Sequence, residues 1–182
     1  MLVVGIVGLP ASGKGEFSRI AAEMGVPVVV MGDVIRNAVR EAGLPPTDEN
    51  MGLIANQLRK AEGMDAVAHR CVPLVKSRDA PLVLIDGIRG DAEVKIFRRE
   101  FARFCLIGID SEFPLRLSRV KVRGRSDDLK NAGELKVRDE RELAWGLGRA
   151  LAEADITIPN NGTLEEYARD VRALIGKLEG GT

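Results

Sequence analysis

Leu2-Val3-Val4-Gly5-Ile6-Val7 runs directly into Gly8-Leu9-Pro10-Ala11-Ser12-Gly13-Lys14-Gly15, after which a helix opens. An almost wholly apolar strand, a glycine loop and a helix in that order are the setting in which G-x-x-x-x-G-K binds phosphate. Each residue type has a reason to be there. Gly8 and Gly13 let the backbone turn its amides inward, the helix N-terminus adds positive potential, and Lys14 reaches the β- and γ-phosphates. A turn that merely joined strand to helix would leave Lys14 without a purpose. Gly8, Leu9, Pro10, Ala11, Ser12, Gly13, Lys14, Gly15 and Glu16 are therefore the expected nucleotide-binding set, with Lys14 also catalytic.

The loop departs from the general pattern in one place. Where Ser or Thr normally follows the lysine to hold magnesium, this chain has Gly15 and then Glu16. A carboxylate close to bound phosphates repels them unless it faces solvent or orders a magnesium-bound water. The simpler reading of Glu16 is a first-turn acid stabilised by the helix dipole.

Working outward, β-branched runs alternate with stretches of helical spacing, which indicates a parallel sheet covered by helices. The expected strands are Leu2 to Val7, Pro27 to Met31, Leu82 to Ile85, Phe104 to Ile109 and Ile156 to Ile158. The first four are nearly all apolar, as strands buried on both faces are. About fifty residues after the second strand read as helices from about Asp33, Asp48 and Met64, forming a helical insert over 33–78. A second irregular stretch, Gly124 to Gly133, interrupts the helix after the fourth strand. Thr163 with Glu166 is a capping box at the start of the last helix.

Composition narrows the function classes. At 182 residues, one domain spanning 1–182 can bury roughly 70% of its unfolded surface, enough for a core without disulfides or metal. Cys71 and Cys105 lie far apart without a CxxC partner, and His69 is the only histidine, so a zinc framework is not expected. The 27 basic residues balance 27 acidic ones, which disfavours a nucleic-acid backbone as ligand. Seven aromatics offer few stacking platforms, and the N-terminal apolar run is too short to span a membrane. The expectation is a soluble, cytoplasmic protein, monomer or homodimer, with no nucleic-acid or membrane partner.

The segments after the strands point to a family. Gly8 to Gly15 resembles the phosphate loop of adenylate kinases, although these usually carry Thr at the position of Glu16. Met31-Gly32-Asp33-Val34-Ile35-Arg36 is similar to their Thr-Gly-Asp-Leu-Leu-Arg segment. Asp86-Gly87-Ile88-Arg89 is similar to their Asp-Gly-Phe-Pro-Arg, one residue shorter. The resemblance implies that Arg36 and Arg89 bind the phosphate of an acceptor and that Asp86 helps organise magnesium through water. The residues themselves agree, since they sit at the carboxyl ends of neighbouring strands, where open α/β folds bind ligands, and arginine suits bidentate phosphate recognition. The same segment resembles dephospho-coenzyme A kinases, in which the residue at the place of Asp33 deprotonates an acceptor hydroxyl. A phosphate acceptor needs no base and a hydroxyl acceptor benefits from one, so both chemistries stay open.

Arg116, Arg119, Lys121, Arg123 and Arg125 follow the fourth strand, within a lid expected over 116–133. In this kinase superfamily lid arginines close on the transferring phosphoryl, which makes Arg119, Arg123 and Arg125 catalytic candidates and Arg138 a weaker one. The stretch Ala154 to Thr163 resembles the last strand and turn of dephospho-coenzyme A kinases, which would place Asn161 and Gly162 beside the base. From end to end the chain resembles an archaeal adenylate-kinase-related P-loop family (GLPASGKGE, VVVMGDVIR, PTDEN, GMDAVA, DGIR, NNGTLEE). That resemblance implies a five-stranded parallel sheet of order 2-3-1-4-5, and a phosphotransferase using ATP and Mg2+ on a nucleotide-like small molecule. The substitution of Gly15 and Glu16 for the magnesium hydroxyl also motivates a different reading, a nucleotide-dependent switch or slow ATPase.

Overall fold

A computed structural model describes residues 1–123 and 131–181, with residues 121–123 as backbone only. Strand β1 (Leu2–Val7) leads through the loop into α1 (Lys14–Glu23), then β2 (Val28–Val30), α2 (Met31–Glu41), α3 (Asp48–Glu62) and α4 (Ala66–Lys76). Next come β3 (Leu82–Ile88), α5 (Asp91–Glu100), β4 (Phe104–Asp110) and α6 (Phe113–Arg123). After the undescribed stretch follow α7 (Ala132–Ala144), α8 (Leu147–Ala152), β5 (Ile156–Pro159) and α9 (Leu164–Gly180).

The sheet has order β2-β3-β1-β4-β5 and its pairings are parallel, as expected. Its strands read as apolar runs because both faces are covered. Val3, Val7, Val83, Ile85 and Leu106 face α2, α4, α5 and α8. Leu2, Val4, Ile6, Leu82, Leu84, Ile107 and Ile109 face α1 and α9, where Phe17, Ile20, Tyr167 and Val171 meet them. Each such side chain, fully buried, contributes about 1.5–3 kcal/mol. The fold therefore rests on these two apolar layers, and the functional residues gather where β1 and β3 end.

Two boundaries differ from expectation for reasons that matter at the site. Strand β2 is shorter, because α2 begins at Met31 with no intervening loop, and Pro27, lacking an N–H, enters only by accepting a bond from Leu84. Strand β3 is longer and runs through Asp86 to Ile88. There Ile6 pairs with Asp86 but Val7 with Ile88, so Gly87, at φ 100°, is passed over. This irregularity re-aims the strand beside the phosphate loop, a use bulges often have at functional sites.

The capping box of α9 is present, with Thr163 and Glu166 exchanging bonds. Helix α7 begins at Ala132, inside the stretch expected to be irregular to Gly133, capped by the Asn131 side chain, and the chain turns at Gly146 before α8. Cys71 and Cys105 are free thiols, and burial pushes Cys71 up to about 12. Among the described residues no helix is long and apolar enough to cross a membrane.

Gly90 joins β3 to α5 under the α7–α8 turn. A Cβ there would lie 2.3 Å from the Trp145 carbonyl oxygen, a backbone atom that cannot swing aside. Gly90→Ala should lower stability by about 1–3 kcal/mol, read as a shifted urea midpoint with unchanged slope; an unchanged midpoint would show that the turn yields freely.

Candidate functional site

The loop after β1 is held open by its own carbonyls. Lys14 is 8% exposed and its Nζ donates to the Gly8 carbonyl and, at 3.0 Å, to that of Leu9. The Pro10 carbonyl accepts from Arg116 at 3.0 Å. That of Ser12 accepts from Asn160 Nδ2 at 2.8 Å, and that of Gly13 from the Tyr167 hydroxyl at 3.3 Å. These bonds hold the loop in one shape, within which the Ser12 amide donates back to the Leu9 carbonyl at 3.1 Å. The conformation includes Gly13 at φ 115° and Ala11 at φ 61°, the one non-glycine with positive φ among the described residues. Such a residue costs about 1 kcal/mol or more and persists where its surroundings over-determine it.

The Ser12 hydroxyl is buried with no hydrogen-bond partner among the described residues. An orphaned donor inside an anion-binding loop suits a phosphate oxygen, so the residues present fit a nucleotide triphosphate. Magnesium fits less directly. Among the described residues no cluster of three His, Cys, Asp or Glu could hold a metal. Asp86 is a single carboxylate, accepting from Ser18 at 2.8 Å. Magnesium keeps several waters and needs only one or two carboxylates beside phosphate oxygens, so Asp86 meets that requirement through water. Glu16 turns to Arg19, at 3.0 and 2.6 Å, as a first-turn helix acid with a cation one turn on.

Beside the loop lies a cleft open to solvent, walled by α2, α3, the end of β3 and α7. Met31, Ile35, Met51, Ala55 and Val67 make its apolar part, and Arg59, Arg89, Arg138 and Arg141 its cationic part. The arginines are braced by carboxylates. Arg59 pairs with Glu93 at 2.8 Å and both are almost fully buried. Arg89 pairs with Glu142 at 2.8 Å, and Glu142 also takes Arg138 at 3.1 Å. Asp48, at the start of α3, receives Arg138 at 3.2 Å and Arg141 at 3.0 Å, so the insert and α7 are tied across the cleft. The Arg59 guanidinium lies 4.2 Å from the Trp145 ring centroid.

The electrostatics converge on Lys14. Burial first, and then the Arg89 guanidinium, push its amine down to about 7, against a smaller upward pull from Glu142 and Asp86. Burial would raise Glu142, but Arg89, Arg138 and Lys14 more than offset it and hold the carboxyl below its usual range. For Glu93, burial outweighs Arg59 and the carboxyl is raised. A phosphoryl group between Lys14 and Arg89 would meet one fixed cation and an amine that the anion itself draws toward its protonated form, in a partly dehydrated setting.

Comparison with known proteins bears on this arrangement. A family model described as an AAA domain matches residues 7–136. A UPF0200 protein of Methanoregula boonei is 62% identical over 179 residues, covering 98% of each chain. The chain belongs to the UPF0200 family. In fold it is similar to a gluconokinase from Sinorhizobium meliloti, with TM-score 0.60 and 16% identity over 99% of this chain and 94% of that one. A shikimate kinase from Aquifex aeolicus gives TM-score 0.55 and 17% identity over 99% and 98%. The fold is that of P-loop kinases.

Within this UPF0200 chain the structure brings together Lys14, Asp86, Arg89 and Arg138. It does not bring Asp33 and Arg36 into the cleft lining, to which Gly32 and Ile35 belong. The Asp33 side chain is 59% exposed and pairs with Arg36 one turn along α2. Arg119 reaches the loop from behind, donating to Ser111 Oγ and the Asn160 carbonyl, both at 2.8 Å, and at 3.4 Å to the carbonyls of Ala11 and Ser12. Arg116, 3% exposed, locks bidentately onto Asp139. The Arg123 side chain and Arg125 lie outside the described residues, as do residues 124–130 of the lid expected over 116–133. Asn161 accepts from the Glu112 amide and Gly162 lies against Glu166; the residue touching the phosphate loop is Asn160. His69 sits on α4, half exposed, beside Asp65.

The Arg59–Glu93 pair and the Trp145 wall were missed from sequence, as were Asp48, Arg141, Glu142, Asn160 and Ser18. One trace was available: Arg138 and Glu142 stand four apart, a spacing that places them together on one helix. Removing Arg59 strands a buried carboxylate, so Arg59→Met should cost about 3–5 kcal/mol. Adding Glu93→Gln should recover part of this, as chemical denaturation would show. A single variant within about 1 kcal/mol of wild type would mean that water reaches Glu93 freely.

Proposed function

We propose that the protein transfers the γ-phosphoryl group of ATP to an anionic, nucleotide-like small molecule bound in the cleft. The observation that carries this reading is the position of Lys14. Buried beneath the phosphate loop, its amine is within electrostatic reach of Arg89 and Arg138, which also line the cleft. Donor and acceptor sites therefore share one boundary. The inward-facing loop amides and Ser12 hold the triphosphate, Lys14 neutralises charge growing on the transferring group, and Arg89 and Arg138 orient the acceptor. Magnesium, associated with Asp86 through water, would supply further charge neutralisation. Rate enhancement then comes from positioning and fixed electrostatics, with Arg123 and Arg125 as further candidates and Arg119 supporting the loop from behind.

Four arginines against three carboxylates around the cleft favour an acceptor molecule that carries negative charge, whether its accepting group is a phosphate or a hydroxyl. Asp33, exposed and engaged by Arg36, lends no support to base catalysis. The likeness to gluconokinase and shikimate kinase is one of fold and assigns no acceptor.

A coupled assay over nucleoside monophosphates and dephospho-coenzyme A should reveal acceptor-dependent ADP release. Lys14→Met and Arg89→Ala should each reduce it by about 10²-fold or more. Bound ATP without acceptor-dependent release from any of these compounds would overturn the kinase reading. Hydrolysis without acceptor, with a partner retained in one nucleotide state, would favour the switch instead.

Lys14 adds a pH signature. Its amine is down to about 7 in the folded protein, largely neutral at pH 8.5, and a bound phosphate favours the protonated form. ATP binding at pH 8.5 should take up about one proton, and affinity should fall by up to about tenfold per unit as pH rises above about 7. Calorimetry in buffers of different ionisation heat measures this, and Lys14→Met should abolish it. Binding of equal strength at pH 7 and 9 without proton uptake would refute it.

A further inference from the structure

We propose that Ser18 is a positioning residue for Asp86, taking over from one helical turn away part of the role left open by Gly15. Helix α1 starts at Lys14, and residues three apart on a helix are neighbours on one face, about 5–6 Å between Cβ atoms. Ser18 therefore lies on the face of Gly15, where the general loop pattern has a magnesium-binding hydroxyl. Its Oγ donates to Asp86 Oδ2 at 2.8 Å across 68 residues of sequence. Asp86 is paired with Ile6 at the end of β1, two residues before the loop, and its charge is felt at Lys14. The other polar side chains of α1's first turns are directed elsewhere, Lys14 into the loop and Glu16 to Arg19. Holding Oδ2 restricts the orientation of the Asp86 carboxylate, which would accept from a magnesium-bound water. Partners of this kind, behind the group that meets the metal, commonly change metal affinity 10–100-fold when removed.

This inference rests on the proposed nucleotide binding, and equilibrium binding separates the two. ATP affinity of the whole chain is measured by calorimetry with and without MgCl2 for wild type, Ser18→Ala, Ser18→Thr and Asp86→Asn. In wild type, magnesium should tighten ATP binding. In Ser18→Ala the magnesium-free affinity should stay within about twofold while the magnesium increment shrinks about tenfold. Ser18→Thr, which keeps the hydroxyl, should restore it. Adding Ser18→Ala to Asp86→Asn should cause no further loss, since the two side chains act as one unit. A wild-type magnesium increment in Ser18→Ala would overturn the proposal. So would an equal loss with and without magnesium, which marks a purely structural contact. ATP binding by wild type that ignores magnesium would overturn it while leaving nucleotide binding intact; no ATP binding at all would overturn the proposed function as well.

Discussion

The site depends on where the carbonyls of residues 8–13 go. A loop can present a row of amides to an anion only if the opposite ends of its peptides find donors. Those donors come from the loop's own Lys14 and from Arg116, Arg119, Asn160 and Tyr167. The outside donors lie on α6, at the end of β5 and on α9, elements more than a hundred residues away in the chain. The sheet order brings them there. Because β4 lies beside β1 and β5 beside β4, the turns that follow them end next to the loop. A local motif is thus completed by donors from the second half of the chain.

That division explains what could be read in advance. The loop, the strands and the capping box are contiguous patterns whose meaning is carried by neighbours a few residues apart, so they were legible. The sheet order came through resemblance. Asp86 and Arg89 were found because they follow a recognisable strand, although the strand runs on through them, displaced at Gly87. The arginine–carboxylate lattice was not legible, since its bonds join Arg59 to Glu93, Arg89 to Glu142 and Asp48 to Arg141. No spacing rule connects residues so far apart. Arg119 illustrates the reverse difficulty: a basic residue on a lid-side helix suggests a hand reaching toward phosphate, yet its guanidinium is engaged by Asn160, Ser111 and the back of the loop.

The cleft has an unusual internal balance. Four arginines would repel one another strongly if unaccompanied, and three carboxylates, Asp48, Glu93 and Glu142, hold them apart in fixed directions. Replacing one partner in such a set disturbs several others, so single substitutions there will rarely act alone. The near-zero net charge of the whole chain is compatible with this, because opposite charges are concentrated together here as well as spread over the surface.

Trp145 carries one further consequence. It is the only tryptophan in the chain, and its ring forms part of the cleft wall. Guanidiniums of Arg59 and Arg141 lie near its face, and its indole N–H is held by Asn56 at 2.8 Å. Indole emission responds to nearby charge and solvation, and here both are set by the groups that line the cleft. The molecule therefore contains an intrinsic optical reporter at its binding wall, with no second indole to obscure the signal.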